Sequence, residues 1–163
     1  MRSIRCRLAV VFLVAATGLS TKVHAQGPNN PVDPSIVTKL TGSWTNELGS
    51  TLTITAIDAS SGSISGQYRS PSGAPGSGFP LIGWVNTKAS DPEHPNNVVV
   101  ISFSVRWGTI GSVTTWNGFQ TLKDGNDIIV GQWLLSRPNS DFIWDHIVAG
   151  QDRFFRAPTQ KRN

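Results

Sequence analysis

From Leu40 onward the chain alternates apolar and polar side chains in short runs, and no stretch repeats apolar residues at helical spacing. Eight runs carry the alternation: Leu40–Asn46, Ser50–Asp58, Ser63–Ser70, Pro80–Thr87, Asn97–Trp107, Val113–Leu122, Ile128–Ser136 and Asp145–Arg156. Gly, Ser, Asn and Pro divide them, and links such as Leu48-Gly49, Ser60-Ser61-Gly62 and Asp124-Gly125-Asn126 are short. Short links between neighbouring strands give an antiparallel meander. The pattern therefore predicts an all-β fold, an eight-stranded antiparallel up-and-down β-barrel over residues 40–157 that leaves no exposed edge. Residues 26–39, rich in Pro and Asn, read as a flexible N-terminal arm, and residues 158–163 as a polar tail.

Strand side chains point alternately to opposite faces, so parity sorts them into inward and outward sets. Val99, Ile101, Phe103, Val105 and Trp107 share one face of the fifth run against Ser102, Ser104 and Arg106. Tyr68 and Ser70 are in phase with Ile64, Asn46 with Trp44, and Ser50 with Leu52 and Ile54. Thr114 is in phase with Trp116, Leu135 with Trp133, and Asp152 with Phe154. The predicted interior thus holds six polar groups: Asn46, Ser50, Tyr68, Ser70, Thr114 and Asp152. Taken singly, an inward Asn or Ser near a strand end satisfies backbone groups or water, and a tryptophan packs a core.

The joint pattern points elsewhere. Trp107, Trp116, Trp133 and Trp144 fall at the rims of four successive predicted strands, and Asp152 follows the last by eight residues. A tryptophan offers a large apolar face and one N–H donor, and several interleaved with inward polar groups suit a pocket for a small, partly polar molecule. A carboxylate inside an apolar barrel is costly unless something donates to it. No inward Lys or Arg accompanies Asp152, so a neutral N–H donor from a ligand is expected.

Composition removes other classes. Arg2, Arg5 and Arg7, the apolar run Leu8–Ala16 and the small-x-small site Val23-His24-Ala25 have the layout of a secretory signal peptide over residues 1–25, with an apolar run too short to span a membrane. Cleavage after Ala25 removes four of the 14 basic residues and none of the 10 acidic ones, so the net charge falls from +4 to zero. No basic patch remains for nucleic acid or a membrane surface. Cys6, the only cysteine, leaves with the leader, so the mature chain has neither a disulfide nor thiol chemistry. A secreted protein, extracellular or periplasmic, is expected.

The residues also carry a family likeness. Gly42 to Ile54 (GSWTNELGSTLTI) strongly resembles the first hairpin of the avidin and streptavidin family. Gly66–Ser70 (GQYRS), Thr114–Gly118 (TTWNG) and Gln132–Leu135 (QWLL) resemble its later strands, as does the Trp144 to Asp152 spacing. The likeness runs in order from Leu40 to about Phe155. It implies a homotetramer, with a dimer as the alternative, that binds biotin and needs no cofactor. By the same resemblance Asn46, Ser50 and Tyr68 donate to the ureido oxygen, while Ser70 and Asp152 accept from the ureido N–H groups. Thr114 approaches the thioether sulfur; Trp107, Trp116, Trp133 and Leu135 form the walls, with Leu48 in the first turn beside them. Trp144 reaches over a neighbouring subunit's ligand, and Ser112 meets the valerate carboxylate. The family's other carboxylate contacts align near Ser72, Gly73 and Ala74, where no Asn is present, so backbone N–H groups are expected there. The link Gly108–Gly111 is shorter than in streptavidin, and no cysteine pair ties the lid.

Two rivals fit parts of the pattern. Gly42-x-Trp44 also suits the opening of a lipocalin-like carrier, although such a barrel carries a helix after its last strand. Exposed tryptophans also suit sugar binding or glycoside hydrolysis, but hydrolysis needs two facing carboxylates. Asp145 and Asp152 have opposite parity on one predicted strand. His146 shares the parity of Asp152 without a nucleophile beside them, and neither a phosphate loop nor a metal-ligand cluster is evident. A non-enzymatic binder is expected.

Overall fold

The eight alternating runs close on themselves. The computed structural model of the chain describes residues 31–72, 75–88, 93–94 and 96–157. Strands β1 (Gly42–Asn46), β2 (Thr51–Ile57), β3 (Ser63–Arg69), β4 (Phe79–Val85), β5 (Val99–Arg106), β6 (Val113–Lys123), β7 (Asn126–Ser136) and β8 (Ile147–Arg156) form a closed barrel in sequence order. Every pairing is antiparallel, and β8 returns to β1 through Trp44↔Arg156 and Asn46↔Phe154. The predicted leader, residues 26–30 of the arm and the polar tail lie outside the described residues. Among the described residues no helix is long and apolar enough to cross a membrane.

Parity holds along the strands. Leu52, Ile54, Leu81, Ile101, Phe103, Val105, Ile129 and Phe154 are buried inside, while Ser104, Asn117 and Gln132 lie on the other face. The β6–β7 turn is one residue tighter than read, because Lys123 pairs with Asn126. Asp124 and Gly125 between them both have positive φ, at 52° and 78°, the twist that a two-residue hairpin needs. β8 begins later than predicted, at Ile147, because Ile143–Asp145 form a 3-10 turn.

The arm requires a correction. Residues 34–40, read as loose up to Lys39 and as strand at Leu40, form a helix, α1 (Pro34–Leu40). Asp33 caps it by accepting from the Ser35 N–H at 2.8 Å, and Pro34 occupies the first turn, where no N–H partner is needed. Ile36 and Leu40 lie one turn apart and are fully buried, which explains why a seven-residue helix persists: packing holds it, not propensity. The preceding backbone docks too, through Val32 N–H to Ala59 O (2.6 Å) and Asp33 N–H to Thr87 O (3.0 Å). Trp44 donates from Nε1 to Leu40 O (2.9 Å). The Arg156 guanidinium lies 4.1 Å from the Trp44 ring centre and donates to the carbonyls of Thr41 and Lys39. This end of the barrel is shut, leaving the other as the mouth. Ile36→Val should lower stability by about 1 kcal/mol, the usual cost of one buried methyl. Urea unfolding checks this, since an undocked arm would lose nothing measurable.

Candidate functional site

The mouth opens onto a cavity of about 350 Å³ between the ends of β1, β3, β5 and β7 and the starts of β2 and β6. Its deep end is polar. Asn46, Ser50, Tyr68 and Asp152, brought together from β1, the β1–β2 turn, β3 and β8, are each at most 6% exposed. Asn46 anchors the group. Its Oδ1 accepts from the backbone N–H groups of Ser50 (2.7 Å) and Leu48 (3.1 Å), which fixes the β1–β2 turn, and its Nδ2 donates to Asp152 Oδ1 (3.2 Å). One Asn46 N–H remains available to the cavity.

Asp152 is better supplied than the sequence suggested. Its Oδ2 accepts from Trp116 Nε1 at 2.9 Å, so the protein itself puts a neutral donor on each oxygen. The inward carboxylate therefore does not depend on a ligand for its first partners, which corrects that expectation. The carboxylate retains lone-pair capacity for a further donor. Burial raises the Asp152 pKa above its ordinary 3.8, and the nearby Glu47 carboxylate adds to the rise; the N–H donors of Trp116, Asn46 and Trp133 oppose it. Tyr68 is pushed up to about 12, chiefly by burial and then by the Asp152 and Glu47 carboxylates, with the Ser50 hydrogen bond acting the other way. Its hydroxyl is thus a donor across the physiological range.

The walls are aromatic. Trp116 stacks on Phe103 (4.8 Å, 11°) and lies 4.9 Å from the Tyr68 ring, while Trp107 meets Tyr68 edge-on at 5.8 Å. Trp107 Nε1 donates to Thr114 Oγ1 (2.7 Å), which fixes both the indole and the hydroxyl. Trp133 faces Trp116 in register and lies over Gly150 on β8, where a Cβ would overlap the indole ring. Trp116 and Trp133 are therefore mid-strand walls; only Trp107 and Trp144 stand at strand rims. Leu135 and Ser112 also line the cavity, and the Ser112 carbonyl accepts from the Trp107 N–H (2.9 Å) across the link.

At the rim Ser70 lies 3.2 Å from Ser72 through their hydroxyls, and Leu48 is 71% exposed. Gly73 and Ala74 fall outside the described residues. Trp144 does not line this barrel's own cavity: it is 74% exposed and stacks on Phe142 (4.8 Å, 11°). Ile110 also borders the cavity and was missed, because its position depends on a 3-10 turn, Gly108–Ile110, that alternation cannot reveal. Asp145 is paired with Arg137 (2.7 Å) at the surface, so Asp152 has no facing carboxylate partner in the cavity lining. Among the described residues no group of three or more His, Cys, Asp or Glu is arranged to hold a metal.

Comparison with known proteins agrees with this architecture. The family model described as the Avidin family matches residues 35–157. Avidin-related protein 4/5 of Gallus gallus is 32% identical over 126 residues, covering 74% of this chain and 79% of its own. Avidin of the same species is 32% identical over 130 residues (75% and 80%), and afifavidin of Afifella pfennigii is 28% identical over 163 residues (94% and 90%). Among solved structures, xenavidin superposes with a TM-score of 0.59 at 25% identity, covering 74% of this chain and 99% of its own. A biotin binding protein from chicken gives 0.61 at 29% identity (73% and 98%). A barrel closed in sequence order and a family match across its whole length lead to one assignment: the chain belongs to the avidin family.

Proposed function

We propose that the mouth of the barrel binds one biotin per chain, non-covalently and with high affinity. The observation that carries this reading is the deep polar end, where donors and acceptors are sorted as a ureido group requires. The free Asn46 N–H and the hydroxyls of Ser50 and Tyr68 supply three donors for the ureido oxygen. Asp152 and Ser70 supply acceptors for its two N–H groups. Donors at one end and an anionic acceptor at the other polarise the ureido group in the same sense, so the contacts reinforce one another. Trp107, Trp116, Trp133 and Leu135 exclude water around the bicyclic body, Thr114 faces the sulfur, and Leu48 borders the ring. Ser112 and Ser72 meet the carboxylate of the tail. The relative described as a biotin binding protein from chicken supports the same ligand.

The cavity lining sets neutral donors and one carboxylate around the ligand and offers no pair of facing carboxylates for hydrolysis, which supports a binder that returns its ligand unchanged. The leader-like residues 1–25 direct it outside the cytoplasm. Titration with biotin, following tryptophan emission, should saturate at one ligand per chain. Emission that stays constant while a sugar or a lipid is bound instead would overturn the reading.

The proposed assembly is a homotetramer built from dimers, in which Trp144 covers the ligand mouth of a neighbouring copy. A 74% exposed indole beside an 82% exposed Ile143 has no reason to persist on an isolated barrel. Trp144→Lys should speed biotin release and weaken dimer pairing while leaving the association rate nearly unchanged, because a cap controls escape more than encounter. Light scattering and a biotin chase measure both effects. A monomer that retains biotin equally well with and without the substitution contradicts the assembly.

A further inference from the structure

Residues 137–146, which join β7 to β8, are clasped at their base by four contacts. The Arg137 N–H donates to His146 O (2.9 Å), and the His146 Nδ1–H donates back to Arg137 O (2.8 Å). The Arg137 guanidinium then spans to Asp145, with Nε on its carbonyl (2.7 Å) and a terminal nitrogen on its carboxylate (2.7 Å). Pro138 follows immediately and restricts the backbone on both sides of its own bond. Inside the clasp Asp145 N–H closes the 3-10 turn on Phe142 O (3.0 Å), and that turn projects the stacked Phe142–Trp144 pair away from the barrel.

We propose that Arg137 is a positioning residue for Trp144: by gripping both the main chain and the side chain of Asp145, the next residue, it holds the indole ready to cover a neighbouring mouth. This rests on the reading that Trp144 covers a bound biotin. The physical reason lies in the loop. A free ten-residue connection carrying three large exposed apolar side chains would have to be ordered at every docking event, and that entropy loss would weaken the cover. A planar guanidinium engaging two acceptors on one residue fixes orientation as well as distance, which a lysine cannot do. Arg137 lines no part of the cavity, so its influence on the ligand has to pass through the loop.

A biotin-chase experiment on wild type, R137A, W144A and the double variant separates this role from a merely structural one. R137A should release biotin about tenfold faster, as expected for losing hydrogen bonds to a charged group, with the association rate unchanged. The double variant should release it no faster than W144A alone, because both substitutions disable the same cover. R137K, which keeps the charge but lacks the rigid fork, should fall between. Additive acceleration in the double variant, or wild-type release from R137A, overturns the proposal. If R137A fails to fold, D145A, which removes the side-chain arm and leaves the backbone carbonyl contact, should still show a smaller acceleration, and its absence is equally contrary. Biotin release that W144A accelerates and R137A leaves as in wild type overturns this proposal alone; release that W144A leaves untouched overturns the covering role of Trp144 with it, and no biotin binding by wild type overturns the ligand assignment.

Discussion

Biotin in large excess should raise the melting temperature of the protein by roughly 8–16 °C. A ligand that binds only the folded state stabilises it by RT ln(1 + [L]/Kd), about 4 kcal/mol at 1,000 times Kd. For a domain of this size each kcal/mol moves the midpoint by about 2–4 °C. The geometry favours tight binding because little has to be organised on arrival. Asn46 is fixed by two backbone N–H donors, Trp116 by Asp152 and by stacking on Phe103, and Trp107 by Thr114. Preorganisation of this kind removes costs that otherwise erode affinity. A scan with and without biotin measures the shift, and superimposable melts would contradict the ligand assignment.

Asp152→Ala should weaken biotin binding by roughly 1.5–3 kcal/mol, the range for a hydrogen bond to a charged group. The loss has two parts. The ligand N–H loses its acceptor, and the Asn46 and Trp116 donors lose the oxygens that hold them in place. Tyr68→Phe and Ser50→Ala should each cost about 1 kcal/mol, and their losses should not add, because both donors serve one oxygen. Calorimetric titration of the three variants checks the order, and an unaffected Asp152→Ala would mean that the ligand is seated the other way round.

The same carboxylate sets the pH dependence. Its folded pKa is raised, so the folded state holds a proton that the unfolded chain releases near 3.8. Its contribution to stability is therefore fully present below that value and is lost as pH rises through the folded pKa. Biotin acts in the opposite sense, since an N–H donor favours the ionised form. Affinity should consequently fall as the pH drops through the raised pKa, and Asp152→Asn should flatten that slope. Titrations across the acid range read both.

Much of this was legible in alternation alone. Strand parity placed Asn46, Ser50, Tyr68, Thr114 and Asp152 inside together, because a closed barrel turns period-two patterning directly into a shared interior. What stayed hidden depended on geometry that alternation does not carry. The partners of Asp152 come from β1 and β6, so finding them required the closure of β8 onto β1 and the reach of an indole across β7. Ile110 joins the rim through a 3-10 turn. The helix α1 did leave a signal, Asp33-Pro34 as a cap and first turn with Ile36 and Leu40 one turn apart, but the surrounding Pro and Asn outweighed it. Trp144 stands out by its spacing, yet the covering role proposed for it needs a second chain.

The central claim, that a ureido group sits at the deep polar end of this barrel, is tested most directly by a crystal structure of the protein grown with biotin. The account predicts the ureido oxygen within hydrogen-bond distance of Asn46, Ser50 and Tyr68, an N–H on Asp152, and the tail directed toward Ser112 and Ser72. Biotin bound on the outer face of the barrel, or seated with its carboxylate at Asp152, would contradict it.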